Sequence, residues 1–443
     1  MEILYQKSKI ISRVKKYFLP YIELLTKPSG HKLFLLLLAI VSMQAVTSIQ
    51  HIYNWFLRGM SKLSLNAYYH LLSYTKLPTD KFSAVTLNKA IALTDPNLKD
   101  MPVLLLIDDT LQAKFGTKFE CYTKMFDHAR HTGSSYLSGH CFVALAVGIP
   151  VIVGNSIKYL TVPIRFWLKG ENESKLTIAS KMIADAMKVL KDIHAVILLC
   201  DSWYPKGEVL KTVSSYENLE LIANIRGDTV LYDLPQCTGK RGRPAKKGRK
   251  LSIYVDFDFS EFGKYYVAVR TVMTNLFKNP VYMAVTAANL ENHKGYRLFL
   301  CTITPDKFID IFREREQLLS QHPHLCSLFP LFFYSFRWNI EVIFYELKTF
   351  WSFGEYMLRS KQGIENFINI ISISYACAKL IPFEDDFFSD FSDVSTQTVK
   401  YAFGDVIRKE LFFAHFVDFV ETRHISFENL RDLDILDLFA YSS

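Results

Sequence analysis

The chain has 443 residues, half of them hydrophobic and 14% aromatic, with a formal net charge of +8. That composition excludes a disordered protein and supplies enough apolar surface for more than one packed domain. The basic excess suits an acidic polymer as partner. The seven scattered cysteines form no Cys-x2-Cys pair, which argues against a zinc cluster and a disulfide framework and for a reducing cytoplasm.

Residues 1–98 read as helical, without strand alternation. Leu33–Gln50 is uncharged, but its continuously apolar part, about 33–41, is short for a membrane span and reads as a buried helix. Charged, helix-like text precedes it, so it does not read as an N-terminal signal either. Tyr53–His70 reads as helix, Gly59 turn and second helix capped by Ser64. That pattern serves either a helix-turn-helix gripping DNA or an ordinary helical hairpin.

From about residue 99 the text changes. Val103–Asp108, His140–Val153 and Lys158–Phe166 read as strands, Ser174–Leu190 as a helix, and Ala195–Cys200 and Leu219–Ile225 as further strands. The order predicts an α/β mixed sheet over 99–227. Asp108, Asp109 and Asp201 fall at the carboxyl ends of two strands, the edge where open sheets bind ligands. Residues 228–304 are strand-rich, with Tyr265–Met273, Val281–Ala287 and Tyr296–Thr304 read as β. Within them, Lys240, Arg241, Arg243, Lys246, Lys247, Arg249 and Lys250 make seven of eleven residues basic, interrupted by Gly and Pro. A flexible cationic loop of that kind tracks phosphates without reading sequence; the alternative is a solvated loop. Over 305–381, Pro305–Ser320, Pro330–Phe350 and Gln362–Leu380 read as helices. Over 382–443 an acidic loop, Glu384–Asp393, precedes a helical remainder.

Tyr334, Arg337, Glu341 and Lys348 follow one another at steps of three, four and seven. At about 100° per residue these steps put all four on one helix face, within roughly 60°. A carboxylate beside a phenol, a guanidinium and an ammonium suits a site holding a hard cation and a phosphodiester together. The plain alternative is an i,i+4 surface pair of Arg337 and Glu341, worth a few tenths of a kcal/mol.

The spacing Tyr334-x2-Arg337-x3-Glu341-x6-Lys348 resembles the signature of a large group of bacterial insertion-sequence transposases with an Asp-Asp-Glu metal site. The upstream acids in Val103-Leu-Leu-Leu-Ile-Asp108-Asp109-Thr110 and Ala195-Val-Ile-Leu-Leu-Cys-Asp201 fit the same pattern. The resemblance, spanning roughly 100–380, implies an RNase H-like catalytic core interrupted by a mostly β insertion, with helical N- and C-terminal regions. It implies that Asp108, Asp201 and Glu341 are catalytic and hold two Mg²⁺ (or Mn²⁺) ions, while Tyr334, Arg337 and Lys348 hold phosphates. Adjacent strand residues point oppositely, so only one of Asp108 and Asp109 enters the site. The Asp-x-Thr pattern of related sequences favours Asp108, with Asp109 the alternative.

The implied partners are double-stranded DNA, as transposon ends and as target, and a second copy in a synapsed homodimer. No membrane and no small-molecule substrate are expected, and the setting is the bacterial cytoplasm at the nucleoid. The 1–98 region would bind the transposon end and the C-terminal region would make protein contacts. The implied reaction cuts the ends through hairpin intermediates and transfers 3′-OH ends into target DNA. The competing functions are a nuclease of the same fold without strand transfer and a repurposed DNA-binding regulator. His140 reads as a satisfied structural residue; Trp203 and Trp338, beside the acids, read as core packing, with stacking on an unstacked base the alternative; and His128 and His131, flanking Arg130, read as loop polar groups or as groups lining DNA.

Overall fold

The computed structural model describes residues 9–116, 118–126, 136–154, 156–236, 245–291, 295–312, 315, 320–321 and 323–423. The chain forms two compact units interleaved along its length. One comprises Met1–Thr86, Leu111–His140 and Phe344–Ser443; the other comprises Leu87–Thr110 and Cys141–Ile343.

The first unit is mainly helical. Its centre is the helix Lys361–Glu384, which packs on the helices Lys27–Ser42, Leu65–Ser73 and Thr396–Arg423. Lys27–Ser42 is buried continuously from Leu33 to Ser42, the condition for a helix apolar all round. Each fully buried leucine of that run stabilises the fold by about 2 kcal/mol. The run 33–41 is therefore core, as the sequence indicated. Lys361–Glu384 is long and apolar enough to cross a membrane, but its side chains are packed inside the unit. The hairpin over 53–70 is built differently from its reading. Gly59 lies in the last helical turn, Arg58–Met60, and the chain turns at Ser61–Ser64 instead. Ser64 occupies the N-cap position of Leu65–Ser73 without a capping side-chain bond. The acidic stretch after residue 384 is not a plain loop. Asp386–Phe391 forms a 3₁₀ turn, and Asp385 holds Arg13 at 2.6 Å.

The second unit is built on a mixed sheet. Its strands are β1 (Val103–Ala113), β3 (Tyr136–Val153), β4 (Ser156–Leu168), β5 (Val196–Cys200), β6 (Leu219–Ile225), β7 (Ser260–Phe262), β8 (Tyr265–Val272), β9 (Val281–Ala287) and β10 (Tyr296–Cys301). A short β2 (Thr123–Phe126) pairs with the start of β3, within the first unit. The order runs β3-β1-β5-β6-β10-β9-β8-β7, with β4 paired to β3. β1, β5 and β6 are parallel and the remaining described pairings are antiparallel. The runs Val103–Ile107 and Val196–Cys200 are buried throughout, as parallel strands covered on both faces require. The fold is thus mixed α/β with an RNase H-like core, as the order of elements predicted.

Three local readings change. β1 continues to Ala113, so Asp108 and Asp109 lie inside the strand, just beyond its last pairing with β5 at Ile107↔Cys200. The strands of the 228–304 segment continue the core sheet, because β10 pairs with β6. The single helix read over Pro330–Phe350 is two, Leu325–Ser335 and Trp338–Phe350. The ladder breaks where the Ser335 hydroxyl donates to the Phe332 carbonyl at 2.6 Å and Phe336 turns its ring to Tyr159, 4.7 Å away. Tyr334 therefore ends one helix, Arg337 sits in the junction, and Glu341 and Lys348 belong to the next.

Candidate active site

The site begins with sheet register. In parallel pairing, the residues that follow Ile107↔Cys200 are Asp108 and Asp201, so the two acids emerge side by side from the middle of the sheet. Asp201 also closes the turn that ends β5. Its carboxylate accepts from the Trp203 amide at 3.0 Å and its carbonyl from the Tyr204 amide at 3.3 Å. Gly207, at φ +42°, then lets the chain enter the helix Gly207–Val213.

Arg337 ties the third acid in. Its guanidinium donates to Asp108 at 3.0 Å and also to Glu341, in the first turn of Trp338–Phe350. Two carboxylates from distant parts of the chain thus converge on one cation, with Asp201 beside the first. The charge balance is poor. Burial pushes the Asp108 carboxyl up to about 7, Asp201 adds to the rise and Arg337 opposes it. Burial also raises Asp201, against the Trp203 amide bond that favours its anion.

Asp109 has a different set of partners. Lys175 donates to it at 2.7 Å and the Tyr204 hydroxyl at 3.1 Å, and the Cys141 thiol lies 3.6 Å away. Burial would lower the Lys175 ammonium, but the Asp109 carboxylate holds it above its ordinary value. Lys175 and Tyr204 were not singled out in the sequence. The polar start of Lys175–Leu190 and the aromatic three residues after Asp201 were the available signals.

Tyr334 packs edge-on against Phe299 at 4.9 Å, and its ring lies 5.7 Å from the Arg337 guanidinium. Burial pushes its phenol up to about 12, so it is a neutral hydrogen-bonding group. Lys348, in the first unit, donates to the Leu111 carbonyl at 2.8 Å. Of the basic segment, Lys240, Arg241 and Arg243 lie outside the described residues. The described part is less free than expected. Arg249 binds Asp256 through two bonds, at 3.0 and 2.5 Å, Lys247 contacts Asn275, and Lys250 bridges to Tyr232. Lys246 is exposed. His140 is satisfied as read, with Nδ1 2.6 Å from the Tyr356 hydroxyl and Nε2 3.0 Å from the Glu120 carbonyl. His128, Arg130 and His131 lie outside the described residues. The packing reading of Trp203 and Trp338 is corrected: both are exposed, at 50% and 61%.

Carboxylate oxygens are the right donors for hard divalent cations, and the crowding of Asp108 and Asp201 is relieved by positive charge. Among the described residues, no three His, Cys, Asp or Glu side chains stand in a ready metal cage. Arg337 joins Asp108 to Glu341 instead. The unit also holds an apolar cavity of about 750 Å³ between Tyr159 and Phe332. Among the described residues that line it there is no carboxylate.

The mixed sheet places two acids at adjacent strand positions, β1 and β5. A family model described as DDE superfamily endonuclease matches residues 21–264, more than half of the chain, and the chain belongs to that family. The match contains Asp108, Asp109 and Asp201 and stops before Glu341. No curated protein matches the chain. The family supports a nuclease or transposase-like function on DNA, and its endonucleases generally use divalent metals.

Proposed function

We propose that this protein is a DNA transposase that cuts the ends of an insertion sequence and joins them to target DNA. The observation that carries the reading is the meeting of Asp108 and Glu341 on Arg337, which lies 229 positions from Asp108 in sequence, with Asp201 next to Asp108 in the sheet. The Tyr334–Lys348 spacing and the DDE family support it.

In this reading Asp108, Asp201 and Glu341 hold the divalent ions, Mg²⁺ or Mn²⁺. When bound, the ions supply activation of an oxygen nucleophile and charge relief at the leaving oxygen. Arg337 keeps Asp108 and Glu341 together before loading and then turns donors to phosphate oxygens. Tyr334 donates its phenol proton as a hydrogen bond to a second oxygen, and Lys348 holds a phosphate along the same helix as Glu341. The segment 240–250 follows the backbone by charge alone. Water attacks one strand at each end. The freed 3′-OH attacks the opposite strand to form a hairpin, and the hairpin is reopened by water. The regenerated 3′-OH then attacks a target phosphodiester and expels a target 3′-oxygen. Two copies acting together would process the two ends, in a reducing, DNA-containing compartment such as the bacterial cytoplasm.

The test uses precut ends with Mg²⁺ and a target plasmid. Joined product supports transposition. Metal-dependent nicking without joining would reassign the protein to a nuclease of the same family, and retention of DNA with no nicking would reassign it to a regulator.

A further inference from the structure

Trp203 is a large aromatic side chain left half exposed at a rigid position. Its amide is bound to the Asp201 carboxylate at 3.0 Å. The next residue, Tyr204, is fully buried and donates to Asp109 at 3.1 Å. Pro205 is buried, and the Lys206 amide closes on the Tyr204 carbonyl at 2.6 Å. The indole is therefore held two residues from Asp201 by a backbone clamped on both sides.

Two ammonium groups attend the ring. Lys206 Nζ lies 4.5 Å from its centroid and Lys175 Nζ 5.3 Å. They differ in freedom. Lys175 is fixed to Asp109 at 2.7 Å, whereas Lys206 has no carboxylate partner among the described residues. A flat aromatic face flanked by a cation without a carboxylate partner suits a ligand that is flat and neutral in one part and anionic in the next. A nucleotide in a DNA strand has that form. A base inside a duplex hides both faces against its neighbours, so the ring can accept only an unpaired or strand-terminal base.

We propose that Trp203 is a stacking platform for an unpaired or terminal base of the DNA strand that reaches Asp201, with Lys206 moving from the ring to the adjoining phosphate. The proposal rests on the DNA-processing reading above and adds the form of DNA the site accepts.

The test uses the full chain without metal and two DNA probes of the same sequence. One is a blunt duplex; the other carries a short single-stranded extension with a 2-aminopurine base. Wild type should bind the extended duplex more tightly and quench the 2-aminopurine emission. Trp203→Ala should bind it on the order of tenfold more weakly and lose the quenching, with little change on the blunt duplex. Trp203→Phe should keep most of both, and Lys206→Gln should lower the salt dependence of binding while leaving the quenching. Because the ring is exposed, the unfolding midpoint of Trp203→Ala should match wild type. If wild type binds both duplexes and Trp203→Ala binds and quenches like wild type, the platform is overturned while the DNA reading stands. If wild type binds neither duplex, the DNA reading fails and the platform with it.

Discussion

Asp108 and Asp109 are neighbours on one strand, yet they occupy opposite electrostatic settings. Asp108 shares a single guanidinium with Glu341 and stands beside Asp201, so two acids bind one cation with a third alongside. Asp109 binds an ammonium and a phenol directly, through Lys175 and Tyr204. The strand's alternation sends one residue type to a site that needs further positive charge and to a scaffold that needs none. The contrast teaches that the same carboxylate reads as ligand or as brace according to what faces it.

The comparison breaks if the two aspartates behave alike on substitution. Asp108→Asn, Asp201→Asn and Glu341→Gln should each cut metal-dependent DNA cleavage by about a thousandfold or more. Each removes several kcal/mol of charge stabilisation from the transition state. Retention of cleavage in Glu341→Gln would remove that acid from the site. Asp109→Asn should act mainly on stability, costing about 1–3 kcal/mol because the half-buried Lys175 loses its counter-charge and one of the two acceptor oxygens that Lys175 and the buried Tyr204 use becomes a donor. A lower midpoint in thermal unfolding, with cleavage kept within about tenfold at a temperature where the protein is folded, is the expected pair of results.

The pH dependence sharpens the contrast further. Asp108 titrates at about 7 in the fold against an ordinary value of 3.8, so the folded state binds its proton more tightly than the unfolded state. Below pH 3.8 both states are protonated and the group contributes no difference. As pH rises to about 7 the fold progressively loses stability, up to about 4 kcal/mol, and the loss is complete above that value. With metal chelated, Asp108→Asn should therefore be more stable than wild type at pH 8, and the gap should close toward pH 4 in urea titrations. A gap that does not change with pH would mean that Arg337 already compensates Asp108 in full. The smallest effect is expected at Lys348. Lys348→Ala should weaken DNA binding a few fold and reduce the salt slope by about one. An unchanged slope would show that the lysine's bond to the Leu111 carbonyl is its whole role.

Much of the sheet was legible because buried parallel strands leave long apolar runs. Leu219–Ile225 and Val281–Ala287 match their predicted limits. The acids were visible because each follows such a run or sits at a fixed spacing. What escaped the sequence was set by partners far along the chain. The break between Ser335 and Trp338 depends on a hydroxyl back-bond and on Tyr159 receiving Phe336. Helical periodicity alone continued across it. The choice between Asp108 and Asp109 stayed open because strand alternation says that the two differ, but not which one meets Arg337. The packing reading of Trp203 rested on an aromatic beside an apolar strand ordinarily packing inward; here its amide is tied to Asp201 and its neighbour Tyr204 to Asp109, and the ring is exposed, as its stacking alternative requires.

The central claim is that Asp108, Asp201 and Glu341 serve one cation site from which Asp109 is excluded. Calorimetric titration of the DNA-free protein with Mn²⁺ tests it most directly. The account predicts binding by wild type and by Asp109→Asn, and its loss in Asp108→Asn, Asp201→Asn and Glu341→Gln. Wild-type binding in Glu341→Gln, or loss confined to Asp109→Asn, would contradict it.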